Sequence, residues 1–340
     1  MHGVGLMCGL AAVLCGLLVA GAAVAQDTPE LVSVKMIWNQ GQYNAFTDLI
    51  RFQDKWFCTF REGESHVYGE DGTIRIIASD DGETWESMAL LAEGGIDLRD
   101  PKLSVMPDGR LMMLAGGSVY EGKEYKGRQP RVAFSKDGVE WTPTQRILGE
   151  GEWLWRVTWH KDKGYGVTRL LTIEPDGKKH TNVRLMVTTD GLHYDEIVPW
   201  GELHDRPNET TVRFLDNDEM MAMVRREEGD TTGWLGTSMP PYTEWTWHQT
   251  GHRFGGPNFI QLPDGSLWGA SRYYPGGAKT VLARMTRDSY EPVLTLPSGG
   301  DTSYPGLVWH DGLLWMSYYS SHEGKASIYL AKIRIPGLSK

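Results

Sequence analysis

The chain has 340 residues, a formal net charge of −10, three cysteines and fourteen tryptophans. That charge argues against nucleic acid and anionic membranes as partners, so any anion site has to be a local basic cluster set against the overall field. The length permits two domains, but no Pro/Ser-rich linker or charge block divides the sequence.

Residues 1–25 read as a secretory signal peptide: Leu6 to Ala25 is almost wholly apolar and ends in Ala23-Val24-Ala25, a small-x-small cleavage pattern. Export predicts a secreted or periplasmic protein, with no second apolar span for a bilayer and hence no membrane association after cleavage. Cys8 and Cys15 leave with that segment, so Cys58 remains alone and no internal disulfide forms. Stability then rests on the core of residues 26–340, read as a single domain.

Two series of turns run through that domain. In the first, RFQDKWF, MPDGRLM, HKDKGYG, LDNDEMM, LPDGSLW and WHDGLLW place aspartates at 54, 108, 162, 216, 264 and 311, in steps of 54, 54, 54, 48 and 47 residues. Each joins two short runs rich in Val, Leu, Trp, Tyr and Phe, the signature of a β-hairpin, and helical periodicity is hard to find. Six all-β units of about 50 residues predict a six-bladed β-propeller with four-stranded antiparallel blades. KASIYLAKIRI is expected to pair with ELVSVKMIW and close the ring.

In the second series SDDGETW starts at Ser79, SKDGVEW at Ser135 and TTDGLHY at Thr188. Aspartate and serine can bind the turn backbone, glycine permits a positive φ, and the aromatic residue plugs between strands. These turns are expected to join outer strands in the second, third and fourth units, as fasteners rather than catalysts.

Repeated turns of this kind (Asp boxes) in a six-bladed propeller resemble the sialidase superfamily over nearly all of residues 26–340. The resemblance implies a glycan substrate, an axial pocket and a retaining glycosidase. NETTVRFLDNDEMMAMVRRE resembles the stretch in which a glutamate opens one strand and an arginine ends the next, which implies Glu209 as the carboxylate partner and Arg225 as a clamp arginine, with Arg226 the alternative one register away. DTSYPGLVWHDGLLWMSYY implies Tyr304 as nucleophile, WFCTFREGESH implies Arg61 as a second clamp arginine, and Arg272 in WGASRYY holds the repeat position of a third. A sialoside carries a carboxylate on its anomeric carbon, which repels an anionic nucleophile. A neutral tyrosine deprotonated by a neighbouring glutamate avoids that repulsion.

The repeat register independently brings Phe46, Asp100, Leu154, Glu209, Pro257 and Tyr304 to one level, and Arg61, Ala115, Arg169, Arg225, Arg272 and Tyr318 to the next. The sequence departs from the family at NAFTDL, where an Arg-Ile-Pro-like triplet is usual, leaving Arg99 or Arg156 to supply the missing charge. After Arg61 come Glu62, Glu64, His66, Glu70 and Asp71. Glu64, His66 or Asp100 is expected to move the leaving-group proton. The departures keep two other readings open: a lyase that removes the C5 proton of a uronate, and a carbohydrate-binding propeller without turnover. The spacing of His, Cys and acidic residues suggests no metal site, and no phosphate-binding glycine loop calls for a nucleotide cofactor.

Overall fold

The computed structural model describes residues 1–3, 28–173 and 179–338. The signal-peptide reading falls on residues that lie, for the most part, outside this set. Among the described residues, twenty-four strands form six four-stranded antiparallel sheets, as the hairpin series predicts. The inner strands are Tyr43–Phe52, Asp97–Val105, Glu152–His160, Pro207–Phe214, Asn258–Gln261 and Thr302–His310. Inner strands of adjacent blades pack on one another around the axis. No helix among the described residues is long and apolar enough to cross a membrane.

The ring closes where strand Glu30–Trp38 pairs antiparallel with Ser327–Arg334, from Glu30↔Arg334 to Trp38↔Ile328. Glu30–Trp38 therefore belongs to the last blade, and the blade count begins at Tyr43. This shifts the Ser/Thr-x-Asp-Gly turns by one unit from the sequence expectation: they join the third and fourth strands of the first, second and third blades.

The core is distributed. Six apolar clusters lie between neighbouring blades, for example Phe57, Ile76, Leu103 and Met113 between the first and second, and Trp56, Trp315, Tyr319 and Ile328 between the last and first. Apolar residues alternate along each strand toward these seams, so burial fixes strand register and blade contact together. Cys58 is a buried free thiol, and its burial holds the proton on the sulfur.

The fasteners repeat nearly atom for atom. Ser79, Ser135 and Thr188 accept from the backbone N–H of Gly82, Gly138 and Gly191 at 2.8, 2.8 and 2.9 Å. Asp81 Oδ1 takes the N–H groups of Glu83 and Thr84, and Asp137 Oδ1 those of Val139 and Glu140. The glycines have φ of +71°, +78° and +76°. A Cβ on Gly82 would lie 2.4 Å from the Trp315 ring, and one on Gly138 would lie 2.4 Å from Phe57. Each turn thus presses glycine against the second strand of the preceding blade.

Candidate active site

Five of the six inner strands carry a β-bulge at one level, where the pairing skips two residues: Phe46-Thr47, Asp100-Pro101, Trp155-Arg156, Asn208-Glu209 and Tyr304-Pro305. Phe46, Asp100 and Tyr304 have φ of 66°, 50° and 55°, a left-handed conformation that non-glycine residues adopt at a cost of about 1–3 kcal/mol. Bulges re-aim side chains, and here they turn one residue per blade toward the axis.

Tyr304 and Glu209 meet there. The Tyr304 hydroxyl donates to Glu209 Oε1 at 2.5 Å, while Arg225 Nη1 donates to Glu209 Oε2 at 2.8 Å and to the Tyr304 oxygen at 3.3 Å. The Gly256 N–H also donates to Glu209 Oε2, at 2.7 Å. Burial works against the Glu209 carboxylate, but Arg225 and these hydrogen bonds outweigh it and hold its pKa below the ordinary value. Burial and then the Glu209 charge push Tyr304 well above its ordinary value. At neutral pH the pair is a phenol aimed at a carboxylate that is ready to take its proton.

Aromatic rings enclose the pair. Phe46, Trp155 and Tyr319 lie 5.1, 5.4 and 5.8 Å from the Tyr304 ring. Beneath it, Lys102 Nζ lies 4.6 Å from the Trp155 ring and 5.9 Å from that of Tyr304, donating to the carbonyls of Pro101 and Thr47. Burial pushes Lys102 down to about 8, opposed by Asp48.

Asp100 is buried, and its Oδ1 has no hydrogen-bond partner. Burial raises its pKa, although Arg99 and Lys102 pull the other way; Glu209 adds to the rise, and His66 is also within electrostatic reach. His66 is exposed and binds Asp301 Oδ2 through Nδ1 at 2.5 Å, its ring edge-on to Phe46 at 5.1 Å. Glu64 is exposed and accepts the Glu70 N–H across its own loop. The sequence reading missed Asp301, which receives Tyr43, Tyr319 and Arg272 as well as His66. Its place at the head of DTSYPG was a usable signal. Lys102 was missed too.

All five arginines expected to hold substrate already face a carboxylate of the chain. Arg61 Nε donates to Asp97 at 2.7 Å, and Arg99 reaches the same carboxylate at 3.2 Å. Arg225 holds Glu209 and also Glu227, and Arg272 holds Asp301 at 3.0 Å with its guanidinium 5.6 Å from the Tyr304 ring. Arg156 makes two 2.9 Å bonds to Asp48, whose Oδ2 also takes the Leu103 N–H. That bidentate, fully buried arrangement is a staple between blades, so Arg156 is not free to grip a ligand. Arg226 is engaged by Asp205 and Asp230 away from Glu209. Among the described residues no group of three or more His, Cys, Asp or Glu is placed to hold a metal. A separate cleft of about 670 Å³, lined by Trp200, His204 and Arg206 among others, contains neither Tyr304 nor Glu209.

No known family model matches the sequence, and no curated protein does. Solved structures do. A protein of unknown function from Dyadobacter fermentans superposes with a TM-score of 0.78 at 16% identity, covering 91% of this chain and 99% of that one. An α-L-arabinofuranosidase from Fusarium graminearum, in complex with an iminosugar inhibitor, gives 0.69 at 16% identity, over 89% and 98%. The Trypanosoma rangeli sialidase bound to the inhibitor DANA gives 0.66 at 11% identity, over 90% of this chain and 58% of the sialidase. At such identities the likeness establishes a shared propeller fold and leaves the chemistry to the site.

Proposed function

We propose that the protein is a retaining glycoside hydrolase of the sialidase-like kind, removing a terminal sugar at the propeller axis. The observation that carries this is the contact of the Tyr304 hydroxyl with Glu209, with Arg225 touching both. Tyr304 attacks the anomeric carbon as its proton passes to Glu209, and the protonated Asp100 carboxyl gives its proton to the departing oxygen. Water then attacks the glycosyl–tyrosine bond, Asp100 takes the water's proton, and Tyr304 recovers its own from Glu209. Of the three candidates for the leaving-group proton, Asp100 suits the acid step best, because burial favours its protonated form. His66 and Glu64 are exposed and committed to Asp301 and Glu70.

A tyrosine nucleophile fits a sugar whose anomeric carbon bears a carboxylate, with Arg225 and Arg272 as the guanidiniums nearest to it. The engagement of every expected clamp arginine supports a second reading, a neutral terminal sugar such as the arabinofuranosides named for one structural neighbour. A panel of aryl sialosides and aryl arabinofuranosides separates the two. Release of sialic acid, lost in Tyr304→Phe, supports the first, and arabinose release with the same loss supports the second. No release from any glycoside, with an unsaturated product from a uronic glycan, would discard hydrolysis in favour of elimination.

A further inference from the structure

Two arginines stand on adjacent blades, the second and the third. Arg169, on strand Lys163–Ile173, has a buried Nε with no partner, and no carboxylate among the described residues pairs with it. Arg128, on Glu124–Ser135, donates only to the Gly151 carbonyl, at 3.0 Å. Both sit over the Trp153 ring, at 6.0 and 5.5 Å from its centroid. Trp153 is held in place because Gly116 leaves room: a Cβ there would lie 2.2 Å from the indole. Burial lowers the pKa of both arginines, and for Arg169 the charge of Arg128 is the next cause, so each cation is poorly solvated and one strains the other. The nearest acid to influence Arg128, Glu152, is taken by Thr168 and Arg184.

The pair lies near the Tyr304–Glu209 contact: Trp153, under both arginines, is on the same strand as Trp155, which packs on Tyr304 at 5.4 Å. Arg169 feels the charges of Glu209, Glu227 and Arg225, so it is a neighbour of the catalytic pair. Tyr120 interacts electrostatically with both Arg99 and Arg128. Its ring packs edge-on with Tyr68 at 6.0 Å and Tyr125 at 5.8 Å, and Tyr68 and Tyr125 are about half exposed, at 46% and 50%. An aromatic wall of this kind suits the faces of sugar rings.

We infer that Arg128 and Arg169 form a second subsite, which receives a carboxylate or sulfate on the sugar adjoining the one cleaved. Two guanidiniums on one support offer paired donors to a planar or tetrahedral oxyanion. An anion between them relieves a repulsion that the chain itself leaves standing. The inference rests on the glycan reading above and extends it: the substrate's charge is read beside the reaction centre, by two arginines that share the Trp153 ring.

Binding of D-glucuronic acid, D-glucose 6-sulfate and D-glucose to the full chain by saturation-transfer NMR at low salt tests this. Both anionic probes are expected to bind while glucose does not, and the stronger of the two identifies the anion. Arg169→Gln and Arg128→Gln should each weaken binding at least tenfold, Arg169→Lys should restore part of it, and Tyr304→Phe should leave it unchanged. Thermal unfolding of each variant confirms that it is folded. Equal binding of glucose, no binding of either anion, or loss in Tyr304→Phe with retention in Arg169→Gln would each overturn the subsite. The aryl glycoside panel, which carries no anion on its leaving group, would still report on hydrolysis, so the two proposals fail separately.

Discussion

The outer turns and the axial bulges are both repeated features, and they repeat in opposite senses. At the outer turns the side chains recur: Ser or Thr, Asp and Gly make the same bonds three times, to within 0.1 Å for the glycine contact. At the bulges the backbone recurs and the side chains diverge, giving phenylalanine, aspartate, tryptophan-arginine, glutamate and tyrosine in turn. A feature copied with its side chains serves each blade that carries it alike and so serves the fold. A backbone device copied with changing side chains lets one ring place five different groups around a single point.

That contrast sets where substitutions should act. The largest effect is expected at the axis: Tyr304→Phe or Glu209→Gln should lower kcat on the order of 1,000-fold or more while the unfolding temperature stays close to wild type, checked by aryl glycoside kinetics and calorimetry. Asp100→Asn should cost on the order of 100-fold with a poor leaving group and far less with 4-nitrophenol, which needs no proton. The pH profile of kcat/KM carries the same assignment. Glu209, held low, must be ionised and governs the acid limb, whereas Asp100, held high, must be protonated and governs the alkaline limb. Asp100→Asn should therefore remove the alkaline limb and leave the acid one.

At the turns the pattern reverses, with stability lost and kcat retained. Gly138→Ala forces an L side chain to a φ of +78° and into Phe57, so a loss of about 2–4 kcal/mol is expected. Gly191→Ala meets the flexible Met112 sulfur at 2.8 Å and should cost less. Ser135→Ala removes one acceptor and should cost about 1 kcal/mol. Denaturant titration orders the three, and a turn variant that abolished turnover without unfolding would break the comparison.

Lys102 gives the most diagnostic shift. Its folded pKa of about 8 lies below the unfolded value of about 10.4, so between those pH values the unfolded chain binds more protons and stability rises with pH. The cost of burying the ammonium is fully present below pH 8. Lys102→Met should therefore be stabilised at pH 7, on the order of 2 kcal/mol, with the advantage gone near pH 11.

The blade number was legible because hairpin turns and interblade cores are written locally, in Asp-Gly pairs and alternating apolar residues. The level of Glu209 and Tyr304 was legible because the bulges keep a fixed distance from the hairpin aspartates. What could not be read was pairing across blades. Nothing near Arg61 announces Asp97, and nothing near Arg156 announces Asp48, since partners 36 and 108 residues away meet only when the ring forms. The sequence reading therefore found the arginines and could not tell an occupied guanidinium from a free one. The unit assignment of the outer turns erred for a similar reason: the strand that opens the domain belongs to its last blade.

That closing strand has a kinetic consequence. Glu30 and Arg334 stand side by side in the finished ring, yet 304 residues separate them along the chain. The earlier strand has to wait for its partner about 300 residues later, and loop closure over that distance comes before any reward from pairing. Until then the last blade is a three-stranded sheet with a bare edge, the kind of surface that recruits strands from other chains. Refolding should accordingly be slow and concentration-sensitive, with the final hairpin the last segment to gain protection from hydrogen exchange.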